Sequence, residues 1–203
     1  MLSLKRISLA RLDRAFQRAR RELREVGLLE DGRYLDRIDC YLTRVPTLGD
    51  ELGYVYDAGV PFLPKLVGFR PGVIYVPINA PDRAYVPGGT LLDTIRHEYA
   101  HAWAWLDPRF LGGAWFGAAF GAPYQSRWRW TPDEDPTEFI SDYARTSPAE
   151  DCAETFMTFL RYQRSLDRFR PRRGVYRKLV AVERAIVRAA KERVPKVRGP
   201  RER

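Results

Sequence analysis

The sequence predicts an α+β fold, with a small sheet beside a central helix, a second acidic helix, and helical segments at both ends. Three observations carry this. Leu4, Ile7, Leu12, Ala15, Phe16, Ala19, Leu23 and Val26 recur at three and four residues, with arginines between them, as in an amphipathic helix. Short β-type runs bounded by Pro and Gly follow, with Gly72-Val-Ile-Tyr-Val-Pro77 the clearest. Two well-signalled helices then carry the polar chemistry of the chain. The 203 residues suit one domain over 1–194 with a basic tail at 195–203, and a hydrophobic content of 45% is enough for a core.

The elements follow in order. A helix over 4–26 ends at Gly27, a natural C-cap. Residues 34–44 alternate apolar and polar side chains and read as a strand. After a turn region at 46–53, residues 53–57 suggest a short strand, and Pro61 and Pro64 interrupt. A strand over 72–77 and a loop over 81–89 lead to Thr90, which can cap a helix running to 106 with Asp93 three residues on. Residues 111–123 are rich in glycine and aromatics and poor in helix propensity. They suit either a mobile flap beside a cleft or a buried connection whose glycines allow close packing. Ser147 at N-cap, Pro148 at N1 and Glu150 at N3 open the second strong helix. Pro171 and Gly174 end that segment, and 175–194 is a third, basic helix within a basic segment covering 161–194.

Charge is unevenly spread. The net +9 divides into +5 over residues 1–26, −8 over 27–160 and +12 over 161–203. Basic ends could meet nucleic acid, anionic lipid or the acidic body, but solvated helix faces are the simpler reading. No apolar run approaches the roughly 20 residues of a membrane span. The start is broken by charge, and Cys40 and Cys152 make no disulfide framework. These features predict a cytoplasmic protein.

The central helix carries His97-Glu98-x-x-His101, and these are the only two histidines in the chain. Four residues apart on a helix, the imidazoles lie one turn apart on one face and can reach a single tetrahedral Zn²⁺. Glu98 can take a proton from a metal-bound water. A catalytic zinc normally has three protein ligands and an exchangeable water. With no third histidine, the third donor must be a carboxylate, or less often a thiolate from Cys152 or Cys40.

The best candidate is Glu150, with Glu154 one turn further on the same face, placed to accept a hydrogen bond from a ligand histidine. Asp151 is the weaker alternative as ligand and a candidate for the surrounding hydrogen-bond shell. Ser147-x-x-Glu150 is also a capping box, in which the glutamate would turn back to the Ser147 N–H instead.

His-Glu-x-x-His followed by Tyr143-Ala-Arg-Thr-Ser-Pro-Ala-Glu150-Asp-Cys-Ala-Glu154 resembles the gluzincin zinc metallopeptidases of the anthrax lethal factor-like and Mlc titration factor-like groups. It is also similar to a group of bacterial zinc-binding metallopeptidases. The likeness covers about a fifth of the chain. It implies a zincin-like fold, Zn²⁺ held by His97, His101 and Glu150, and Glu98 as general base. It also implies that Tyr143 supports the oxyanion or protonates the leaving group, and that the substrate is a peptide or protein. The competing expectation is a zinc-containing regulatory or nucleic-acid-binding protein without peptidase activity.

Overall fold

A computed structural model describes residues 7–30, 34–43, 54–55, 72–78, 89–107, 109–110, 114–126 and 135–191. The architecture is α+β. Among the described residues five α-helices surround a three-stranded sheet of order β1-β3-β2. The basic tail, the loop at 81–88 and the turn region at 46–53 lie outside the described residues.

Helix α1 (Leu9–Glu25) starts later than the apolar periodicity suggests. The Ser8 hydroxyl accepts from the Arg11 N–H and fixes the start, while Ile7 stays extended and donates its N–H to the Ile78 carbonyl. Gly27 ends the helix at φ +78°, with Gly27 N–H on Arg24 O and Leu28 N–H on Leu23 O, the paired bonds of a Schellman cap. Leu12, Ala19 and Leu23 are buried, and the arginines between them are left at the surface.

The expected strand over 34–44 divides in two. Residues Tyr34–Arg37 form a 3₁₀ turn, and only Asp39–Thr43 (β1) is strand. Leu35 and Ile38 are both buried three residues apart, a spacing that one tight turn satisfies and an alternating strand does not. Strands β2 (Tyr54–Val55) and β3 (Val73–Pro77) complete the sheet. β3 is central, parallel to β1 from Asp39↔Val73 to Thr43↔Pro77 and antiparallel to β2. Val73 to Val76 are all buried, as a continuous apolar run in a central strand should be.

Helix α2 (Leu91–Leu106) has the expected start, with Thr90 and Asp93 forming a complete capping box. It is buried nearly all round between α1 and α4 (Pro148–Tyr162). Its buried charges are therefore paired. Arg96 reaches Glu22 of α1 at 2.6 Å and Asp93 at 2.6 Å, and Asp93 also meets Arg161 of α4 at 3.3 Å. One ionic cluster thus ties together three helices.

The glycine- and aromatic-rich stretch forms a short helix, α3 (Ala114–Phe120), despite its poor propensity; 111–113 lie outside the described residues. Phe116, Ala119 and Phe120 share one face and are buried, and Gly121 at φ +79° turns the chain away. Tertiary packing of those rings overrides local preference. Over its described part the segment is a buried connection rather than a flap.

Helix α4 is followed by a 3₁₀ turn (Leu166–Phe169) and α5 (Arg173–Lys191). Gly174 does not terminate a segment but sits in the first turn of α5, where a Cβ would lie 1.8 Å from a Glu138 carboxylate oxygen. α5 buries Val175, Leu179, Val182 and Ile186 and leaves its arginines outward.

Candidate metal centre

The pairing of α2 with α4 builds the site. His97 and His101 project from one face of α2, and Glu150 and Glu154 from the facing side of α4. His97 Nε2 and His101 Nε2 are 3.1 Å apart. Glu150 Oε2 lies 3.0 Å from the first and 3.5 Å from the second. For metal–ligand bonds of 2.0–2.1 Å, the donors of a tetrahedral site stand about 3.3–3.4 Å apart. The three atoms fit that spacing, and the group could hold a metal ion.

The hydrogen-bonding of the site supports the fit. Glu150 Oε2 is buried and makes no hydrogen bond of acceptable geometry among the described residues. His97 Nδ1 lies 2.8 Å from Glu154 Oε1, which can only accept when ionised, so Nδ1 carries the proton and Nε2 presents a lone pair. His101 Nδ1 lies 2.7 Å from the Tyr124 hydroxyl. With Nδ1–H donating there, its Nε2 likewise points a lone pair inward. Two nitrogen lone pairs and a carboxylate oxygen converging within 3.5 Å repel one another unless a cation or a proton sits among them.

Without a metal, a proton takes that place. Burial lowers the affinity of His97 for a proton, but the Glu150 and Glu154 carboxylates outweigh it and raise the group to about 10. Glu150 is itself partly desolvated, but His101 and His97 hold it well below the usual carboxylate range.

The capping question at Glu150 is resolved by division of labour. The Ser147 hydroxyl accepts from the Glu150 backbone N–H at 3.2 Å, while the Glu150 side chain faces the histidines. Glu154 sits where the spacing places it, and its second oxygen accepts from Ser141 Oγ at 2.9 Å. Ser141 Oγ in turn accepts from the Ala144 N–H at 3.1 Å, in the 3₁₀ turn Tyr143–Thr146. That turn sets the Tyr143 ring 5.9 Å from the His97 ring, half-buried at the edge of the site. Glu98 is buried beside the ligands, and its charge helps to raise the Cys40 thiol and the Tyr124 hydroxyl.

Asp151 does not join the shell around the metal. It faces the opposite side of α4, where its Oδ2 pairs with Lys178 Nζ of α5 at 2.6 Å with both side chains buried. A regular helix turns position 151 about 100° from 150, and the α5 side is where that points. Neither cysteine belongs to the donor group. Burial raises Cys40 to about 12 and Cys152 well above its ordinary value, so both stay as thiols.

Two participants carry no sequence signal of their own, Tyr124 and Ser141. Tyr124 lies 23 residues beyond His101, and no spacing rule links them. The site is partly open: side-chain exposure is 4% at His97, 17% at His101 and 21% at Glu150. The largest concavity, about 710 Å³, lies elsewhere, between Trp103 and Phe110, α3 and α5, and includes none of these residues. No family model, curated protein or solved structure matches the chain.

Proposed function

We propose that the protein is a zincin-like zinc peptidase of gluzincin type, hydrolysing peptide bonds in a peptide or protein substrate. The observation that carries the reading is the convergence of His97 Nε2, His101 Nε2 and Glu150 Oε2 within 3.5 Å, with the Glu98 carboxyl on the next residue of the same helix. Zn²⁺ bound there would supply a Lewis acid and an acidified water. Glu98 takes the proton of the attacking water and passes it to the leaving amine. Glu154, braced by Ser141, holds the His97 ring in the tautomer that leaves Nε2 bare. Tyr143 donates its hydroxyl proton in a hydrogen bond to the oxyanion as it forms. The partial exposure of His101 and Glu150 leaves one side for water and substrate.

The rival reading, a structural zinc in a regulatory protein, is disfavoured by the donor set. A structural zinc is normally closed by a fourth protein ligand, and among the described residues only three converge. The test pairs metal content with turnover of a quenched-fluorescence peptide library. Glu98→Gln is expected to keep one zinc per chain and lose roughly 10²–10⁴-fold in rate. Glu150→Ala is expected to lose the zinc itself. Full hydrolysis by the Glu98→Gln variant would remove the mechanism.

A further inference from the structure

The two histidines have unlike supports. His97 leans on a carboxylate, Glu154. His101 leans on a neutral phenol, Tyr124, whose hydroxyl is 2.7 Å from Nδ1. Tyr124 is 7% exposed, so water cannot easily take its place.

Its position is set by the ring cluster that the glycine- and aromatic-rich segment builds. Gly121 at φ +79° and the turn closed by Ser126 N–H on Pro123 O bring residue 124 back beneath His101. The Tyr124 ring meets Phe116 edge-on at 5.7 Å, and Phe116 meets Phe120 at 4.8 Å and Trp115 at 5.6 Å. Trp115 reaches Phe110 at 5.0 Å, and Phe110 lies on Trp103 of α2 at 3.8 Å. Trp103 in turn touches Phe156 of α4 at 5.6 Å. The cluster is thus anchored on both ligand-bearing helices, so the hydroxyl is fixed relative to the donor atoms and not merely near them.

We infer that Tyr124 is a positioning residue for the metal centre, accepting the Nδ1–H of His101 and so fixing the ring and tautomer that present Nε2 to the ion. α3 and its aromatic cluster are the support that holds it there. The inference rests on the zinc reading above, because it concerns how one ligand of that zinc is oriented. Losing an outer partner of a ligand histidine typically weakens metal binding 10–100-fold.

Tyr124→Phe keeps the ring and removes only the hydroxyl, so the cluster should remain packed. The experiment measures zinc affinity by competition with a chromophoric chelator, the melting midpoint of the metal-free chain, and the imidazole N–H resonances of the zinc-loaded protein. With only two histidines in the chain, both rings can be resolved by nitrogen-15 labelling. Tyr124→Phe is expected to weaken zinc binding roughly 10–100-fold with the metal-free melting midpoint close to wild type. The His101 Nδ1–H should shift upfield and exchange faster while the His97 signal stays. Glu154→Gln should move the His97 signal and leave that of His101. Unchanged affinity, or weaker binding with the His101 resonance unmoved, would overturn the positioning role. Failure of the wild-type chain to bind one zinc would instead overturn the site reading beneath it.

Discussion

Ser147 and Glu150 divide two tasks that the local pattern could assign to one carboxylate. The Ser147 hydroxyl caps the helix start, and this leaves the Glu150 side chain for the histidines. The next residue shows how sharply helical geometry sorts roles. Asp151 is fully buried against Lys178, whose ammonium also donates to the Glu138 carbonyl at 2.8 Å and lies 4.0 Å from the Phe139 ring centre. Removing one partner of a buried pair leaves the other charge uncompensated and costs about 3–5 kcal/mol. Asp151→Ala should therefore lower stability by that amount in urea unfolding yet keep stoichiometric zinc. Glu150→Ala should do the reverse, losing the metal with little change in the metal-free chain beyond the charge pair at His97. Equal metal loss in both variants would contradict the division between the two faces of α4.

At the scale of elements, helix packing decides the geometry of the donors. α2 is buried on all sides, so it can hold His97 and Glu98 out of water only because Arg96, Asp93, Glu22 and Arg161 compensate one another. α1 is part of that arrangement through Glu22, and its end is fixed by Gly27. A Cβ at Gly27 would lie 2.9 Å from the Ala190 Cβ of α5, on a backbone at φ +78° that disfavours side chains. Gly27→Ala should cost about 1–2 kcal/mol from the left-handed backbone, before any shift of α5. Chemical denaturation would read it directly, and a neutral result would mean that the α1–α5 contact yields easily.

Across the whole molecule, the basic C-terminal segment meets the acidic body at two points. These are the buried Lys178–Asp151 pair and the Arg177–Glu138 contact at 3.4 Å. The rest of its outward arginines form a solvated face, as the charge pattern alone suggests. No helix among the described residues is long and apolar enough to cross a membrane.

The metal site also sets how global stability responds to pH. His97 is raised from 6.5 to about 10, so in the metal-free chain its contribution is complete below pH 6.5 and is lost as pH rises towards 10. Glu150 is lowered from 4.5, so its contribution is present above pH 4.5 and lost on acidification. Among these two groups, the metal-free protein should be most stable between pH 4.5 and 6.5 and melt lower at each step above that. Zinc must displace the His97 proton, so its apparent affinity should rise about tenfold per pH unit over pH 7–9. Thermal melts with and without zinc should therefore diverge as pH rises. Parallel curves would show that His97 carries no such proton.

The sequence by itself determined the zinc-type helix with its Thr90–Asp93 start, the α4 start at Ser147, the Gly27 stop and the central strand at 73–77. These depend on neighbours within a few residues: a cap, a turn of helix, an apolar run. It also narrowed the third donor to a carboxylate, because the chain has no other histidine. Only the tertiary structure decided that Glu150 rather than Asp151 faces the pair, since the register of α4 against α2 is a property of both helices together. It alone folded residues 34–37 into a 3₁₀ turn and 114–120 into a helix, where buried Leu35, Ile38, Phe116 and Phe120 outweigh local preference. It alone brought Tyr124 to His101. That contact spans 23 residues and depends on a ring cluster assembled from three separate segments, which no local pattern encodes.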